Sequence, residues 1–165
     1  MPSHLTEPNF ITKNTMSPFY EVMKLEIGFE LAKISPDVND RSRIFSKILL
    51  TLSRSFDLKK DLEFAIDVAM EFPDNKLKSS GLYFIVTKLA DEDIERAIAL
   101  AELIPDEHTQ AWAYRDIANA YTKLGDTKKA EIVAKTIQHI DIPKEGYVFP
   151  WDLYVFPKDL DEKTL

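Results

Sequence analysis

The stretch AIALAELIPD, residues 97–106, has a near-twin upstream, AIDVAMEFPD at 65–74. Two further segments follow the same pattern: GFELAKISPD at 28–37 and AEIVAKTIQH at 130–139. The first position is always tiny, as Gly28, Ala65, Ala97 and Ala130. The fourth is a branched aliphatic, Leu31, Val68, Leu100 or Val133, and the fifth is Ala32, Ala69, Ala101 or Ala134. Residues four apart share one face of a helix. The tiny side chains therefore form a stripe along which a second helix can approach closely, with the aliphatics filling the space beside the crossing. Helix propensity explains an alanine at any one site, but not the same offset in four segments. The pattern predicts an internal repeat spaced by 37, 32 and 33 residues.

The punctuation agrees. Three of the four segments end in Pro-Asp. Proline disfavours helical geometry in the residue before it, so helices should stop near Ser35, Phe72 and Ile104. Asp37, Asp74 and Asp106 then cap the helices that follow. Those helices are in register too: Ile48, Ile85 and Ile117 lie twelve residues after each proline, and Phe45, Leu82 and Tyr114 nine after it. Asp57, Asp91 and Asp126 precede the small-residue helices, with Gly125 placed for a left-handed helix end. The prediction is all-α, with helices near 18–34, 38–55, 58–71, 75–89, 92–103, 107–124 and 127–139. These make about three and a half hairpins. Residues 1–17 form an N-terminal extension, 18–143 the helical domain and 144–165 a tail.

The 165 residues suffice for one domain with a real core. A net charge of -7 argues against general binding to a phosphate backbone, so no nucleic-acid partner is expected. Lys59-Lys60 and Lys128-Lys129 are too dilute to reverse that. With no cysteine, disulfide and thiolate chemistry are excluded. The first residues lack the apolar core of a signal peptide, and the longest apolar runs are too short to span a membrane. A cytoplasmic location without membrane attachment is expected. Abundant Lys and Glu and only 4 glycines resemble thermophile usage.

Residues 111–143, AWAYRDIANAYTKLGDTKKAEIVAKTIQHIDIP, resemble a tetratricopeptide unit. The matching positions are Ile117, Ala118, Tyr121, Gly125 and Ala130, with Tyr114 where that family carries tryptophan. Ala134 stands where a larger aromatic is usual, Ile137 where alanine is usual, and Pro143 falls one residue late. The resemblance implies a right-handed α-α superhelix whose first helices line a concave, peptide-binding face. Its alignment assigns Trp112, Arg115, Asn119 and Thr122 to that groove. The upstream equivalents are Ser80, Tyr83 and Thr87, then Arg43, Ser46 and Leu50. Arg forks onto carboxylates, Asn holds peptide backbone and the aromatics give flat contact area. That mixture suits a short acidic or C-terminal segment of a protein partner.

Chemistry-bearing motifs are missing. His4, His108 and His139 are scattered, and no metalloprotease, dinucleotide, nucleophile-elbow or P-loop motif occurs. The acidic run DEDIE at 91–95 is read as a helix start, where exposed N–H groups favour negative charge, and DLDE at 159–162 as solvated tail. No metal, cofactor or catalytic residue is assigned. The expected function is a non-catalytic scaffold for a protein or peptide. One competing reading is a ligand binder or enzyme assembled from separated residues such as Asp116 with Arg115 or Tyr83; another is a self-assembling structural protein, through the tail or an uncapped end. The tail repeats YVFP at 147–150 and 154–157, with Pro143, Pro150 and Pro157 preventing one continuous helix. It is read as a lid over the last hairpin, or as an arm docking in its own groove or another protomer's to give a homo-oligomer.

Overall fold

The structure, a computed structural model, describes residues 18–150, with side chains described from residue 22. His4, the DLDE run and the second YVFP lie outside the described residues. Within them the chain is all-α, without a strand: α1 (Pro18–Lys33), α2 (Val38–Arg54), α3 (Leu58–Met70), α4 (Asn75–Leu89), α5 (Ile94–Glu102), α6 (Glu107–Lys123) and α7 (Thr127–Ile137). Among the described residues no helix is long and apolar enough to cross a membrane.

Aspartate begins nearly every helix. Asp37, Asp57, Asp74, Asp93, Asp106 and Asp126 each accept backbone N–H groups of the first turn that follows. The expected cap at Asp91 is corrected: Asp93 holds the N–H of Arg96, so α5 starts at Ile94. Asp91 instead pairs with Lys123 at 2.9 Å. At the far end of α6, Gly125 takes φ +79, Gly125 donates to Thr122 and Asp126 donates to Tyr121. This is a Schellman closure, in which only glycine turns left-handed without strain.

Asp106 has the richest cap. Its carboxylate accepts from the Thr109 N–H at 2.8 Å and the Thr109 hydroxyl at 2.6 Å, and its own N–H donates to Ser79 Oγ at 3.0 Å. The Thr109 hydroxyl is the main cause holding its carboxyl below the usual 3.8; partial burial opposes it, and the Thr109 N–H adds to the lowering. Because the folded pKa is the lower one, the carboxylate stabilises fully above about pH 4 and loses its effect as pH falls through the folded value. Asp106→Ala should cost about 1–2 kcal/mol at pH 7. Urea melts of parent and variant should converge as the pH falls through the folded value.

Successive helices pack as neighbours along the chain, and α4 also touches α2 and α6. With partners on several sides, α4 is buried almost all round, from Ser79 to Val86 and at Leu89. The register residues Ile48, Ile85, Ile117, Phe45 and Leu82 are all buried, while Tyr114 is half-buried. Phe29, Phe45 and Phe72 link α1, α2 and the α3–α4 turn, with ring centroids 5.4 and 5.5 Å apart.

Most of the small-residue stripe is buried. Ala32, Ala65, Ala69, Ala97, Ala101 and Ala130 are all core. Its two ends differ from expectation. A Cβ on Gly28 would meet nothing within 4 Å, and Ala134 is exposed. Gly28 sits on α1 and Ala134 on α7, the first and last of the seven described helices. One close crossing uses a glycine outside the stripe. A Cβ on Gly81 would lie 3.0 Å from the Ala69 Cβ and 3.1 Å from a Leu49 methyl.

Contacts between units recur at one repeat length. Tyr83 bonds Asp116, Arg96 pairs with Glu63, Lys123 with Asp91 and His139 with Glu107, at separations of 33, 33, 32 and 32 residues. The exposed pairs add little energy, but all four match the 32- and 33-residue spacing of the sequence repeat.

Candidate binding face

The α4 and α6 helices present Ser80, Tyr83 and Phe84 beside Trp112, Arg115 and Asp116. Ser80 and Tyr83 sit one turn apart on α4, as Trp112 and Arg115 do on α6, so the register brings all four to one side. Trp112 and Tyr83 are 4% and 3% exposed. The Arg115 guanidinium lies 4.0 Å from the Trp112 ring centroid and bonds Asp116 Oδ1 at 2.9 Å. The Tyr83 hydroxyl donates to Asp116 Oδ2 at 2.7 Å. Both carboxylate oxygens are thus engaged.

The chain covers this face itself. After α7 the backbone turns at residues 144–145, and Gly146 takes φ +92. Residues 147–149 then run without regular structure across α4 and α6. Tyr147 and Phe149 point inward while Val148 between them is 59% exposed, the alternation of an extended chain. Tyr147 meets Tyr83 at 4.6 Å and Trp112 at 5.9 Å, both edge to face. Phe149 stacks on Tyr83 at 5.6 Å and meets Phe84 at 6.2 Å. One polar clasp fixes the register: Tyr147 Oη lies 2.7 Å from Ser80 Oγ. Residues 147–149 therefore lie over the first helices of two successive hairpins, α4 and α6.

Of the residues assigned to the groove, Tyr83, Trp112 and Arg115 converge. Ser46 does not line an open face, being 2% exposed. The hydroxyls of Thr87 and Thr122 are turned back onto their own helix, onto the carbonyls of Phe84 and Ala118. Asn119 is exposed further along α6, and Arg43 pairs with Asp40 in a shallow depression beside the start of α4. Arg115 was expected to fork onto a partner's carboxylate; its fork is already on Asp116. The segment seated here is aromatic rather than acidic. The Tyr-Xaa-Phe alternation was legible in the sequence, but its receptor lies 67 residues away from Tyr147 at Ser80, beyond any local pattern.

Burial, then the hydrogen bond to Asp116, pushes the Tyr83 phenol far above its ordinary value of 10.0. Tyr114 and Tyr121 are raised in the same direction, mainly by burial. A raised folded pKa means the protonated phenol stabilises fully below pH 10 and loses its effect as pH climbs above it. Tyr83→Phe should cost about 1–2 kcal/mol at pH 7, since Asp116 loses a partner. It should also flatten the fall in urea midpoint between pH 10 and 12. An alkaline limb as steep as the parent's would show that Tyr83 is not the group responsible.

Among known proteins, no family model, curated protein or solved structure matches the chain. The tetratricopeptide likeness accordingly stands on residues 111–143 of the sequence.

Proposed function

We propose that the chain is a non-catalytic interaction module. In this reading about three and a half hairpins form a right-handed tetratricopeptide-like superhelix in the cytoplasm. It holds an extended segment of a protein partner along the face of α2, α4 and α6, without cofactor or metal. One observation carries the reading: the face already holds an extended segment, residues 147–149, through two aromatic anchors and one polar clasp. Contacts at one unit length between successive hairpins support the stacking.

The competing enzyme reading has its trio in place, Tyr83, Asp116 and Arg115, but the three satisfy one another. The phenol is held protonated far above neutral pH, so it makes a poor general base. The observed occupant therefore favours the binding module.

The test is a full-length chain carrying Tyr147→Ala, Phe149→Ala, Tyr154→Ala and Phe156→Ala, titrated with the free peptide KEGYVFP. Saturable binding is expected, weakened at least about tenfold by adding Trp112→Ala. A folded variant that shows no saturation sinks the proposal.

A further inference from the structure

The tail carries Tyr-Val-Phe-Pro twice, at 147–150 and 154–157, whereas the α4–α6 face seats one copy. We propose that residues 154–157 are a second ligand for that face and exchange with residues 147–150 in the same molecule. The face then alternates between two registers seven residues apart. The inference rests on reading the face as a receptor for extended segments.

Recognition is confined to what the second copy reproduces. The anchors are the rings of Tyr147 and Phe149, and the residue between them points outward, 59% exposed. Tyr154, Val155 and Phe156 supply the same ring, spacer and ring. Tyr154 would bring the same phenol to Ser80, whose hydroxyl clasps Tyr147 at 2.7 Å. Neither anchor is charged, so no ion pair has to be rebuilt.

Reach permits the exchange. Nine residues, 138–146, lead from α7 to Tyr147, and sixteen, 138–153, lead to Tyr154. Closure probability falls with roughly the three-halves power of length, so the longer lead costs only about twofold in population. Both copies are tethered and meet the face at an effective concentration of about millimolar. The entry turn sets the preference. Gly146 adopts φ +92, which glycine takes freely, and its counterpart seven residues on is Leu153. The second register must therefore turn elsewhere in its longer lead, and the first is the major one. A foreign segment competes with two tethered ligands, and displacing the first copy does not empty the face.

The chain has no cysteine, so engineered pairs can carry spin labels in the full-length protein. Asn119, exposed on α6, is paired with either Val148 or Val155. In the parent the Val148 pair should give a narrow distance, and the Val155 pair a narrow component of at most about one third. With Tyr147→Ala and Phe149→Ala, the Val155 pair should become mainly narrow, at the distance the Val148 pair shows in the parent. Adding Tyr154→Ala and Phe156→Ala should abolish it. A broad Val155 distribution in both parent and variant would overturn the exchange, as would a narrow distance arising only between different chains in a mixture of singly labelled protein. If exchange fails but the four-site variant still binds free KEGYVFP, the receptor reading stands alone; if that peptide does not bind either, both fall.

Discussion

Removing residues 144–165 is expected to lower stability by about 4 kcal/mol while preserving the helical circular-dichroism signal. The figure follows from two aromatic rings leaving a site that reopens to water instead of becoming a sealed cavity. Each then loses roughly 2 kcal/mol of burial and ring contact. Three rings of the helical array are uncovered: Tyr83, Phe84 and Trp112. The chain has two tryptophans, and the truncation removes Trp151. Trp112 is then the sole indole reporter, and its emission should shift to the red. Tyr83 loses much of the burial that raises its pKa, so its phenol should titrate closer to 10. A stability change below about 1 kcal/mol, with Trp112 emission still that of a buried indole, would mean the segment is not what covers the face.

The second large effect distinguishes two positions of the small-residue stripe. Ala69 and Gly28 both belong to the small-residue stripe, yet substitution should move stability in opposite directions. At Ala69, fully buried on α3, the backbone of α4 is so close that a methyl on Gly81 would stand 3.0 Å from the Ala69 Cβ. Ala69→Leu has nowhere to put three extra carbons without separating α3 from α4, and about 3 kcal/mol of destabilisation is expected. Gly28 is interior to α1, and a Cβ there meets nothing. Gly28→Ala should stabilise by about 1 kcal/mol, through helix propensity and a less flexible unfolded chain. Urea melts at constant m-value give both numbers. Equal destabilisation at the two sites would contradict the packing described for the stripe.

Helix number and boundaries were legible because their signals are local: proline stops a helix, aspartate caps the next, and Gly125 turns left-handed. The start of α5 was missed because the run at residues 91–93 offers two aspartates near one helix start. The choice is made by the end of α4, where the N–H groups of Glu92 and Asp93 both donate to the Leu89 carbonyl, so residues 91–92 belong to the closing turn and Asp93 is left to cap α5. The stripe could be read as a repeat, but not where it matters. Close approach depends on what stands opposite: Ala69 faces Gly81, whereas a Cβ on Gly28 would meet nothing and Ala134 is exposed. Gly81 escaped the pattern, although the SSG run at 79–81 is a concentration of small residues on one turn.

The candidate face was partly legible. Tyr83, Trp112 and Arg115 converge because residues one repeat apart meet at successive positions, as the 33-residue Tyr83–Asp116 bond shows. Ser46, Thr87 and Thr122 do not join that cluster, for different reasons. Burial claims the first, and the other two bond their own helix. The aromatic content of residues 147–149 marks them as a segment that packs; their place on α4 and α6 depends on contacts no local signal encodes.

The most direct measurement is a solution NMR spectrum of the full-length chain with its aromatic rings assigned. Cross-relaxation from Tyr147 and Phe149 ring protons to the rings of Tyr83 and Trp112 is predicted, matching centroid separations of 4.6 to 5.9 Å. Random-coil shifts for Tyr147 and Phe149, with no cross-peaks to α4 or α6, would contradict the account.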